Sequence, residues 1–170
     1  VLGAAPAHAA NISWLLDGDG NWGTAGNWSS SPALPGAADD VTLDVGGDTR
    51  RTVTINTVAA ANTLVSQENI TLSAGSLTLV GDSAIHGDLL LSGGTLAGAG
   101  ALTLHGAASS WVGGSMSGTG TTRVAGGLSL AGGGLKDISG RALAVLANGT
   151  VNWSNSGHDS GRIRTGGAVL

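Results

Sequence analysis

Gly93-Gly94-Thr95-Leu96-Ala97-Gly98-Ala99-Gly100 returns as Gly113-Gly114-Ser115-Met116-Ser117-Gly118-Thr119-Gly120, and every glycine matches at an offset of 20. The same offset brings Leu96 to Met116 and Leu104 to Val124, and Gly133-Gly134 continues it once more. A related Gly-(Ser/Thr)-apolar signal stands earlier at Gly75-Ser76-Leu77 and later at Gly149-Thr150-Val151. A period of about 20 residues is the size of one turn of a chain that winds around an axis and stacks on itself. Glycines at fixed places in each turn fit corners that need positive φ or a close backbone approach.

Short apolar–polar–apolar triplets surround this repeat: Val41-Thr42-Leu43, Val53-Thr54-Ile55, Ile70-Thr71-Leu72, Leu77-Thr78-Leu79, Leu102-Thr103-Leu104 and Leu128-Ser129-Leu130, with Leu143-Ala144-Val145 as a variant. Alternation with period two puts both aliphatics on one face, the pattern of a half-buried strand. No stretch carries a helical stripe. One turn holds few inward aliphatics, each contributing about 1.5–3 kcal/mol when buried, too little to offset its ordering entropy. Stacked turns pair their backbones and merge those clusters into one core. The expected fold is an all-β, right-handed parallel β-helix, most regular from about Ile70 to Leu130. Its inward positions should include Leu77, Leu79, Leu96, Leu102, Leu104, Met116, Leu128 and Leu130.

Composition agrees. The 170 residues include 31 glycines, only 11% charged side chains, and no Phe, Tyr or Cys. With 41% hydrophobic residues, the chain is too apolar and too weakly charged to be disordered. A net charge of −4 and seven scattered cations (Arg50, Arg51, Arg123, Lys136, Arg141, Arg162, Arg164) provide no stripe for nucleic acid. Absence of cysteine excludes disulfides and thiolate metal sites. No stretch is long and apolar enough to span a bilayer. The opening Val1–Ala10, VLGAAPAHAA, ends an apolar run in the small-x-small triplet Ala7-His8-Ala9. This fits signal-peptidase cleavage after Ala9 and predicts export.

Residues 10–45 differ from the rest, with Trp14, Trp22, Trp28, Pro32 and Pro35. The first turn of a solenoid exposes an apolar end and an open edge, which tryptophans can plug and prolines cannot extend. We therefore expect a signal-peptide remnant at 1–9, a capping module at 10–45 built on Trp14, Trp22 and Trp28, and solenoid turns from 46 to 170. The alternative use of Trp22 and Trp28 is a platform for carbohydrate.

Asn21-Trp22, Asn27-Trp28 and Asp39-Asp40-Val41, with the Trp111–Gly120 repeat and Gly149-Thr-Val-Asn-Trp-Ser154, resemble the start of large repetitive bacterial surface proteins. These include autotransporter passengers, filamentous-haemagglutinin-like adhesins and anchored exopolysaccharide-associated (PEP-CTERM-type) proteins. The resemblance implies a β-helix, export to the cell surface, outer membrane or medium, and contact with extracellular glycans or host surfaces. It carries no catalytic residues over. The functional expectation is a monomeric, non-enzymatic exported scaffold or adhesin-like β-helix. The alternative is a carbohydrate-binding or carbohydrate-active β-helix (lyase or glycosidase type) whose active site lies outside this segment.

Candidate sites are sparse. Asp17-Gly18-Asp19-Gly20-Asn21 has alternating oxygen ligands, but Trp22 replaces the sharp-turn glycine and Trp28 the bidentate Glu of a calcium loop. A polar turn is the preferred reading, with no cofactor. Asp39 and Asp40 with Asp44 fit an ion site or, equally well, a strand-entry turn. Glu68, Asp82, Asp88 and Asp137 are the acids a glycosidase-like pair would need, and are expected as solvated turn residues. His86-Gly87-Asp88 and His158-Asp159 lack any accompanying nucleophile motif.

Overall fold

The computed structural model describes residues 9–153 and, by backbone, 163–166. The signal-peptide remnant and His158-Asp159 lie almost wholly outside these. The chain is an all-β solenoid of about six turns of about 20 residues. Each turn contributes three short strands, one to each of three parallel sheets of seven, seven and six strands. From Asp40–Leu43 onward, therefore, every third strand pairs. In the first sheet Asn11–Ser13, Asp40–Leu43 and Thr63–Ser66 lead to Ser83–Ile85, Leu102–Leu104 and beyond. One three-residue 3₁₀ turn, Ala25–Asn27, is the helical content of the described residues.

The register converts sequence repeats into columns of side chains. Leu43, Ser66, Ile85, Leu104 and Val124 stack along the first sheet. Ile55, Leu72, Leu91, Trp111 and Leu130 stack along the second. Ala59, Leu77, Leu96, Met116 and Ile138 stack along the third. Leu96 pairs with Met116 and Leu104 with Val124, the partners the 20-residue offset indicates. All eight positions named for the core are buried in one cluster. Between successive turns, about 4.8 Å apart, the backbone ladders leave no room for side chains at some corners. At Gly94 and Gly114, φ is +65° and +80°. A Cβ on Gly120 would collide with the carbonyl of Gly100 and with Arg141.

Two expectations need correction. The offset does not continue through Gly133-Gly134: the step grows from 20 residues (Leu96 to Met116) to 22 (Met116 to Ile138), and Gly114 pairs with Lys136. The buried Lys136 ammonium donates to the carbonyls of Gly132 (3.2 Å) and Gly134 (3.1 Å), which satisfies the enlarged corner. Gly149-Thr150-Val151 belongs to the second sheet, opposite Gly127 and Leu128, whereas Gly75-Ser76-Leu77 and Gly94-Thr95-Leu96 share the third. Residues 10–45 share sheets with the turns: Asn11–Ser13 and Gly20–Asn21 are the end strands of the first and second.

Candidate functional site

Trp14 and Trp22 follow those end strands, Trp28 follows the 3₁₀ turn, and the three pack together inside the core. Trp28 meets Trp14 (4.9 Å between centroids, 83°) and Trp22 (4.6 Å, 65°) in edge-to-face contacts. Trp28 Nε1 donates to the carbonyl of Trp22 (2.7 Å) and Trp14 Nε1 to that of Leu16 (2.9 Å), while Trp22 Nε1 is buried without a partner. Exposures of 0% for Trp22 and 1% for Trp28 leave no ring face for a sugar, so the carbohydrate platform is not formed by these residues. Aromatic burial at an otherwise open apolar end outweighs display of the rings.

The side-chain oxygens of Asp17, Asp19 and Asn21 are each hydrogen-bonded within the protein. Asp17 Oδ1 accepts Arg51 Nε (2.9 Å) and Nη2 (2.7 Å), Asp19 Oδ1 accepts the Thr52 amide (2.7 Å), and Asn21 Oδ1 accepts the Gly23 amide (2.8 Å). Among the described residues no three His, Cys, Asp or Glu side chains converge on one point. Asp39 bonds the amides of Ala10 (3.1 Å) and Gly36 (2.8 Å), and Asp44 that of Gly46 (2.9 Å). Asp40 Oδ1 accepts from Thr63 Oγ1 (2.7 Å) and Asn62 Nδ2 (2.8 Å), and these two bonds hold its carboxyl below the ordinary 3.8.

Nor are the other acids simply solvated. Glu68 is buried, and its carboxylate accepts the amides of Val45 (3.4 Å) and Arg51, clamping the 44–51 loop. Asp82 Oδ1 accepts the Ala101 amide (3.0 Å) and Asp88 Oδ1 the Ala108 amide (2.8 Å), each on the next turn. Where a corner interrupts the ladder, a backbone N–H needs another acceptor, and short acidic side chains provide it.

One corner builds a concave surface. Asn69 Oδ1 accepts the amide of Asp88 (2.9 Å), and Asp88 in turn caps Ala108, forming a polar ladder over three turns. Beside it lies an open groove of about 290 Å³, lined by Thr52, Asn69, Thr71, Asp88, Leu90 and Ser110 among others. Neither Asn69 Nδ2 nor Asp88 Oδ2 has a partner among the described residues. The groove thus offers one donor and one anionic acceptor beside the partly exposed Leu90.

Sequence reasoning missed Arg141, fully buried with Nε on Thr122 Oγ1 (2.8 Å) and its remaining nitrogens on the carbonyls of Gly98, Gly100 and Thr121 (3.2–3.4 Å). Burial pushes its pKa down from the ordinary arginine value to about 10, leaving it cationic at neutral pH. It also missed His105, which stacks on His86, although their spacing of 19 matches one turn. Comparison with family models, with curated proteins and with solved structures gives no match.

Proposed function

We propose that this chain is a non-enzymatic scaffold exported to the cell surface or beyond, of the autotransporter-passenger or adhesin-like β-helix kind. The observation that carries this reading is the use of its carboxylates. Asp19, Asp39, Asp82, Asp88 and Glu68 each accept backbone N–H groups that the stacked turns leave unpaired. A general acid or base needs a carboxyl directed at a substrate with its pKa moved toward working pH. These acids are directed at the backbone instead. The small-x-small triplet ending at Ala9 supports export, and no helix of the described residues is long and apolar enough to cross a membrane.

Turnover of acidic and neutral polysaccharides by the purified chain tests the reading, with none expected. Turnover abolished by Asp88→Asn or Glu68→Gln would overturn it. A carbohydrate-binding role is favoured by one observation, the unpartnered Asn69 Nδ2 and Asp88 Oδ2 in the groove. Asp88→Asn keeps an acceptor for Ala108 but replaces an anionic oxygen by a donor, so it separates binding from folding. Glycan-array retention that falls in this variant at unchanged thermal stability supports binding there, and equal retention removes the groove from consideration.

A further inference from the structure

The pairing of Ile85 with Leu104 puts the next residues, His86 and His105, at the same corner of consecutive turns. Their rings lie almost parallel, 8° apart in plane with centroids separated by 4.5 Å. The backbones beneath them are pinned, because the His86 amide donates to the Ser66 carbonyl (2.7 Å) and the His105 amide to that of Ile85 (2.8 Å). Neither imidazole makes a side-chain hydrogen bond among the described residues, so no nitrogen is committed elsewhere. His105 is exposed and His86 partly so. Gln67 precedes the pair in the column and Ala125 follows it, the latter too small to cover the His105 ring.

Two imidazoles stacked 4.5 Å apart at one corner can each turn a ring nitrogen toward a common point. An ion held at metal–nitrogen distances of about 2.0–2.1 Å needs its two nitrogens roughly 3.3 Å apart for tetrahedral ligation. Rotation of both rings out of the stack about their side-chain bonds supplies that approach and turns the in-plane lone pairs, parallel in the stack, toward one ion. We infer that His86 and His105 form a solvent-open chelate for one first-row divalent ion of the copper or zinc class, with water completing the coordination. Neutral imidazole selects these ions over calcium and magnesium, which require oxygen. The inference is independent of the scaffold reading, since either kind of solenoid accommodates such a corner.

Calorimetric titration of the full chain with ZnCl₂ and with CuCl₂ at neutral pH tests it. One ion per chain is expected, with Kd on the order of 10 µM and copper the tighter. His86→Phe and His105→Phe keep an aromatic ring in the stack but remove a ligand, and each should weaken binding at least about tenfold, or about 1.4 kcal/mol. A His8→Ala/His158→Ala double variant should bind as the parent does, and CaCl₂ should not compete. Binding weaker than about 1 mM, or uptake unaltered in both Phe variants with the parent circular-dichroism spectrum, would overturn the inference and leave the pair as a stacking contact alone.

Discussion

Removing Arg141 distinguishes two ways in which a buried cation can hold turns together. Its guanidinium reaches back from one turn to carbonyls of Gly98 and Gly100 two turns earlier, past the glycine at position 120. The lowering of its pKa by burial to about 10 corresponds to about 3 kcal/mol against the charged form. The hydrogen bonds oppose this. Gly98 also accepts the Gly120 amide and the contact with the Thr121 carbonyl is long (3.4 Å), so the guanidinium's main service is to Gly100 and Thr122. Two charge-assisted bonds contribute about 3 kcal/mol together, which leaves the ion near break-even. The aliphatic stem has no such opposing term, at about 0.8 kcal/mol per buried methylene plus the cavity left behind. Arg141→Met, which keeps a stem of similar length, should therefore change stability by no more than about 1 kcal/mol, and Arg141→Ala should lower it by about 3 kcal/mol. Urea unfolding followed by tryptophan fluorescence and circular dichroism measures both, compared at equal m. A methionine variant as damaged as the alanine variant would refute the break-even argument and make the guanidinium bonds dominant.

Leu104→Asp places a carboxylate in the column between Ile85 and Val124, and should abolish cooperative unfolding; a wild-type melting curve for that variant would contradict the solenoid core. Trp28→Phe forfeits the indole bond to the Trp22 carbonyl, whereas Trp22→Phe removes an N–H that has no partner. The former should therefore cost about 1 kcal/mol more in urea denaturation, and equal losses would count against this. Asp40 has its pKa lowered by Thr63 and Asn62, so its contribution is present above the unfolded-state value and is lost as pH falls through the lower folded-state value. An acid-unfolding profile should accordingly steepen below about pH 4 in the parent and flatten in Asp40→Asn, with superimposable profiles as the contrary result.

Much of the fold was legible because a solenoid is local physics repeated. A Val-Thr-Leu triplet declares a strand and its inward face whatever surrounds it, and a 20-residue glycine offset declares which strands stack. Where the repeat decayed, the reading failed. Nothing local announced that Lys136 would stand opposite Gly114, because that register depends on an ammonium closing a loop formed only after the turns stack. The acids were misread for a similar reason. A turn Asp looks solvated in sequence, and only stacking reveals the unpaired amide one turn away that it caps.

The candidate surfaces divide along the same line. Trp22 and Trp28 were conspicuous in sequence yet are buried, since large aromatics at an apolar end lose more by exposure than a platform returns. The Asn69–Asp88 ladder and the His86–His105 stack join residues 19 apart through backbone register, which no motif records. The sequence by itself determined the triplet strands and their inward faces as far as Leu130, and the 20-residue repeat as far as Gly120, because each follows from local periodicity. The tertiary structure alone decided which polar groups meet across turns, because that depends on corner lengths that differ from one turn to the next.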